Sequence, residues 1–122
     1  MLRLPRRVRG EGGVIQEIAL IPVKPGCEAA FEAAVTAAGP IFADARGCVS
    51  AVLQRVIEAP GTYRLLVEWE TLENHTVDFP ASESFKAWRA TVGAFFAHLP
   101  TFDHGEEVVE IFRRGTADVS PA

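Results

Sequence analysis

Within residues 48–70 two β-rich runs, CVSAVLQRVIE and YRLLVEWE, are separated by only four residues, Ala59-Pro60-Gly61-Thr62. Pro fixes φ and Gly accepts a positive φ, so these four form a tight turn. Strands joined so closely pair antiparallel. In the second run Tyr63, Leu65, Val67 and Trp69 alternate on one face; Arg64, Glu68 and Glu70, with Leu66 among them, take the other. A half-buried hairpin thus stands at the centre of the chain, and its flanks must cover the apolar face.

Both flanks read as helix plus strand. Residues 14–23 (VIQEIALIPV) form a strand, broken by Lys24-Pro25-Gly26. Phe31, Ala34, Val35 and Ala38 then recur at helical spacing, predicting a helix over 25–39 that Gly39-Pro40 ends. After the hairpin, Thr71 caps a short helical segment interrupted by Pro80, and Ser82 caps a longer helix. There Phe85, Trp88, Val92, Phe95, Phe96 and Leu99 keep helical period as far as Pro100. Residues 106–112 (EEVVEIF) close the series as a fourth strand. The order β-α-β-β-α-β, with right-handed crossovers around an antiparallel pair, predicts an α+β ferredoxin-like sandwich with both helices on one sheet face.

At 122 residues the chain is one domain. We expect a basic flexible leader over 1–12, the folded domain over 13–113 and a flexible tail over 114–122. All four arginines of the first ten residues precede the first acid, so the rest of the chain carries eight basic and sixteen acidic residues, a net of −8. Such a body repels phosphate backbones, and nucleic acid is not an expected partner. No apolar run approaches the ~18 residues of a membrane span. Cys27 and Cys48 form neither a C-x-x-C pair nor a metal-spaced cluster, which suits a reducing, cytoplasmic compartment.

The outward sheet face is also apolar. Strand 14–23 offers Ile15, Ala19, Ile21 and Val23 on one side and Val14, Ile18 and Leu20 on the other. Strand 48–58 offers Val49, Ala51 and Leu53 against Cys48, Val52 and Val56. An uncovered face of that kind drives association, and a second copy under two-fold symmetry is the simplest cover. We therefore expect a homodimer with its sheets face to face.

The run VKPG at 23–26, a helix carrying Phe31, the segment RGCVSAVLQRVIEAPGTYRLLVEWETLENHTVDF at 46–79 and SESFKAWRATVGAFF at 82–96 together resemble the antibiotic biosynthesis monooxygenase (ABM) family. The resemblance implies a dimeric α+β barrel of two ferredoxin-like units. It also implies one of several activities: cofactor-independent oxidation of polycyclic phenols to quinones, haem degradation, or isomerisation of a signalling molecule. Haem-degrading relatives carry a strand Asn and a helical His spaced F-x-x-H or F-x-x-x-H. Here Phe85 is followed by Lys86, Ala87, Trp88 and Arg89, and the first strand has no Asn. No haem, flavin or metal is expected.

The reading is a cofactor-independent monooxygenase of a small aromatic, phenolic substrate. The alternative is a non-catalytic small-molecule-binding dimer, or an isomerase of the same family. Such an oxygenase needs a dry pocket, a base and donors that steady an anion. His75, beside the interrupted helix and at a position often His in the resembling family, is the first choice for catalytic base; otherwise it is a helix-start His bonded to backbone. Trp69, Phe79, Phe85, Trp88 and Phe96 are candidates to line a substrate cavity, with Arg89 as an oxyanion anchor and His104 at the pocket mouth. His98 is expected in the last turn of the long helix. Tyr63 is a further possible donor, and Cys27 is either a thiol activated at a helix start or a buried, inert one.

Overall fold

The computed structural model describes residues 13–115, so the expectations for the leader and for most of the tail lie outside the described residues. Four strands, β1 (Ile15–Pro22), β2 (Cys48–Arg55), β3 (Thr62–Trp69) and β4 (Thr101–Gly105), form one sheet in the order β2-β3-β1-β4. All neighbours are antiparallel. Helices α1 (Glu28–Ala37), α2 (Gly39–Ala43) and α3 (Glu83–Val92) fill the two crossovers, giving the ferredoxin-like α+β fold. No described helix is long and apolar enough to cross a membrane.

The hairpin forms as its sequence requires. Gly61 takes a φ of 89°, and the Thr62 N–H donates to Ala59 O at 2.9 Å to close the turn. In β3, Tyr63, Leu65, Val67 and Trp69 are all buried. They pack with Ala19 and Ile21 of β1 against Phe31, Phe42, Trp88 and Val92 from the helices. Strand alternation thus becomes a two-layer core in which each layer removes the other's apolar face from water. Ser82 caps α3 as expected, its Oγ accepting the Phe85 N–H at 3.1 Å.

Three expectations are corrected. The long helix does not run to Pro100: α3 ends at Val92 and gives way to a 3₁₀ turn, Gly93–Phe95. The backbone there is claimed by the end of β1, because Lys24 N–H donates to Phe95 O at 2.9 Å and Ala97 N–H to Pro22 O at 2.7 Å. Those bonds prevail over helical propensity at a glycine. His98 consequently sits exposed beyond the helix rather than in its last turn.

The fourth strand is Thr101–Gly105, not 106–112. Its register starts at Leu20↔Thr101 and reaches Gln16↔Gly105, where β1 is nearly exhausted. Among the described residues, 106–112 therefore have no strand left to pair with. They extend past the sheet with Val108, Val109, Ile111 and Phe112 exposed by 66–91%.

Strand β2 also differs in phase. Cys48 pairs with Trp69 and Ser50 with Glu68, so Val49 is an extra, bulged residue. The bulge puts Cys48 on the helix face with Ala51 and Leu53, and leaves Val52 on the outer face opposite Leu66. With Ile18 and Leu20 these make an apolar stripe across the outer face, Leu20 42% and Val52 50% exposed.

Candidate functional site

After β3 the chain enters a turn that fixes the site. Thr71 Oγ1 accepts the Asn74 N–H at 3.1 Å, and Asn74 Oδ1 accepts the Thr71 N–H at 2.9 Å. This reciprocal cap starts a π turn, Asn74–Asp78, closed by Phe79 N–H donating to Asn74 O at 2.9 Å. A π turn carries one residue more than an α turn and is frequent at functional sites. Here it buries Asn74 and His75 together.

His75 stacks on the Trp69 indole, with ring centroids 5.5 Å apart and planes 19° from parallel. Its Nδ1 lies 2.7 Å from His104 Nε2, and its Nε2 lies 3.3 Å from Glu17 Oε1. The same Oε1 accepts the Trp69 indole N–H at 3.0 Å. Glu17 and His104 are direct partners across the β1–β4 ladder. The sheet therefore fixes the two ends of a Glu17–His75–His104 chain, and the π turn inserts its middle. Among the described residues no group of three or more His, Cys, Asp or Glu is placed to hold a metal ion. The three lie in a row, with one His75 nitrogen given to each neighbour.

Burial dominates the electrostatics. It pushes the Glu17 carboxyl up to about 7, against a smaller downward pull from the Trp69 N–H. Burial also lowers His75 to about 4, helped by the nearby His104 ring. Cys48 is raised by burial and then by the Glu17 charge. At neutral pH His75 is uncharged, and Glu17 is divided between its two forms.

Beside this chain a cavity of about 210 Å³ opens between sheet and helices. Its floor is Glu17, Ala19, Ile21 and Leu65, and its walls are His75, Phe79, Phe85, Trp88 and Phe96. Arg89, Leu99, Pro100 and Phe102 complete the lining. Arg89, Leu99 and Phe102 are exposed and mark the mouth. The Arg89 guanidinium rides over the Phe85 ring, 5.8 Å from its centroid. The gap between sheet and helices is thus not filled solidly by the aromatic side chains.

Of the residues singled out in the sequence, His75, Phe79, Phe85, Trp88, Arg89 and Phe96 line this cavity. Trp69 is fully buried behind His75, and His104 backs His75 from the side away from Glu17. Tyr63 is elsewhere, its hydroxyl donating to Glu32, which also pairs with Arg55 at 2.9 Å. Cys27 is half-buried at the start of α1. Sequence reasoning missed Glu17. The signal was present: Glu17 falls in phase with Ile15, Ala19 and Ile21, an acid in the register that alternation buries.

The sequence profile of the family described as antibiotic biosynthesis monooxygenase matches residues 15–91. The uncharacterized protein YczJ of Bacillus subtilis (strain 168) is 37% identical over 95 residues, covering 78% of this chain and all of its own. Among solved structures, a Bordetella bronchiseptica protein named for the same family is 52% identical, with a TM-score of 0.78 over 80% of this chain and 99% of its own. A Caulobacter crescentus protein, also named for that family, shares the fold at 24% identity and a TM-score of 0.67, over 80% of this chain and 92% of its own. This chain belongs to the antibiotic biosynthesis monooxygenase family.

Proposed function

We propose that the protein is a cofactor-independent monooxygenase that oxidises a small aromatic phenol or enol with dioxygen, acting in the cytoplasm as a face-to-face homodimer. The observation that carries this reading is the open cavity walled by aromatic rings, with the Glu17–His75–His104 chain at one side. Phe79, Phe85, Trp88 and Phe96 suit a flat ring, and Arg89 at the mouth suits the oxyanion that forms when the substrate loses a proton. The deprotonated substrate passes an electron to dioxygen, and the two radicals recombine. Loss of water then leaves a quinone-type carbonyl. One dioxygen supplies the new carbonyl oxygen and the oxygen of the water, so the substrate is the sole reductant.

The test is oxygen uptake with an anthrone and a naphthol, with quinone identified by mass. Uptake above buffer is expected, and His75→Ala lowers it by at least ~10². Activity recovers in part at high pH, where the substrate ionises unaided. Wild-type uptake no faster than buffer for both compounds overturns this reading.

A further inference from the structure

Both ring nitrogens of His75 are already engaged, Nε2 by Glu17 and Nδ1 by His104. Glu17 is different. Its two protein contacts both fall on Oε1, and no buried side-chain polar atom among the described residues lacks a partner. Oε2 makes neither of these contacts, and Glu17 lines the cavity. We propose that Glu17 is the base that takes the substrate proton, and that His75 and His104 conduct that proton to solvent.

The substrate identity rests on the oxygenase reading; the proton path does not. In the first step a substrate C–H or O–H bond breaks, its electron pair stays on the substrate, and an O–H bond forms on Glu17. A half-turn of the carboxyl brings that hydrogen to His75. Each hydrogen then moves one place: from Glu17 to His75 Nε2, from His75 Nδ1 to His104 Nε2, and from His104 Nδ1 to water. One proton leaves for the one taken and neither ring ends as a cation; both rings, now protonated at Nε2, return to their Nδ1–H forms by proton exchange with water before they carry the next proton.

The surroundings favour this division of labour. Glu17, raised to about 7, is matched to proton transfer near neutrality, whereas His75, lowered to about 4, is a poor final acceptor but a good neutral carrier. The titratable or charged groups around Glu17 are His75 from the π turn, His104 from β4, Cys48 from β2 and Arg89 of α3 across the cavity; β3 presents only the Trp69 indole.

The decisive measurement is NMR of isotopically labelled wild-type protein between about pH 5 and 9, following the Glu17 carboxyl carbon and the ring nitrogens of both histidines. The ring-nitrogen signals are expected to report the ionisation of Glu17, changing at its midpoint as the rings exchange tautomers. Glu17→Gln removes the tautomer exchange and lowers oxygen uptake by ~10²–10⁴-fold. A Glu17 ionised across the whole range, or rings that ignore its titration, overturns the proposal. So does full uptake in Glu17→Gln. Absent wild-type uptake with the NMR coupling present overturns the oxygenase reading alone.

Discussion

The side chain of Asn74 occupies the space where position 47 would carry a β-carbon: a Cβ built on Gly47 meets Asn74 Oδ1 at 2.0 Å. Gly47 also has a φ of 77° and accepts the Glu70 N–H at 2.8 Å. The backbone before β2 is thus pressed against the residue that starts the π turn.

Gly47→Ala is therefore expected to act on the site from a position outside it. The positive φ costs about 1 kcal/mol for a residue with a Cβ. Displacing Asn74 sacrifices its bonds to Thr71 and Asp78, each worth about 1 kcal/mol. Urea denaturation should show a loss of roughly 3 kcal/mol, and the His75–His104 coupling seen by NMR should be lost. A variant as stable as wild type would show that Asn74 moves aside without cost.

Protons act on this pair in opposite directions. Folding raises Glu17 from 4.5 to about 7, so the folded state holds more protons in that window and stability falls as pH rises through it. Folding lowers His75 from 6.5 to about 4, so the unfolded state holds more protons and stability rises with pH over that window. Where the windows overlap, the two slopes cancel. Glu17→Gln exposes the His75 slope, and stability should climb by about 2 kcal/mol from the acid to the neutral end, allowing for solvent at the ring. Denaturation of both proteins across that pH range checks it; identical slopes would refute it.

Trp69→Phe keeps a ring behind His75 but removes the indole N–H from Glu17 Oε1. That bond favours the carboxylate, so its loss moves the Glu17 midpoint further upward. The carboxyl-carbon titration reads this directly. A midpoint unchanged or lowered would mean that the indole does not govern the acid.

For the dimer proposed above, the stripe of Ile18, Leu20, Val52 and Leu66 supplies the contact, and the exposed apolar residues of 106–112 extend it. Sedimentation equilibrium at micromolar concentration is expected to give twice 13.2 kDa. Leu66→Glu should give the monomer without unfolding the core, since Leu66 faces away from the helices. A wild-type monomer would refute the association.

The hairpin and the helical face of α3 were legible because each is a local pattern: Tyr63, Leu65, Val67 and Trp69 need only their own alternation, and Phe85, Trp88 and Val92 their own period. The fourth strand was not, because 106–112 is richer in β-formers than Thr101–Gly105, yet the register of β1 decides which segment pairs. His104 was noticed as a histidine, but its place beside Glu17 follows from that same register. The α3 terminus was hidden for a similar reason, since the bonds that end it come from Pro22 and Lys24, far away in sequence. His75 and the cavity aromatics were legible as chemistry near an interrupted helix. The acid at the end of their chain was passed over inside an apolar strand.

The π turn has a consequence for how this site tolerates changes of length. Each helical residue turns the chain by about 100°. Deleting Thr76 would restore ordinary winding between His75 and Phe79, swinging the imidazole by roughly that angle away from Glu17 and His104. The geometry is therefore set by a residue count as much as by side chains, and a shortened turn would keep every proton-carrying group yet leave them unconnected.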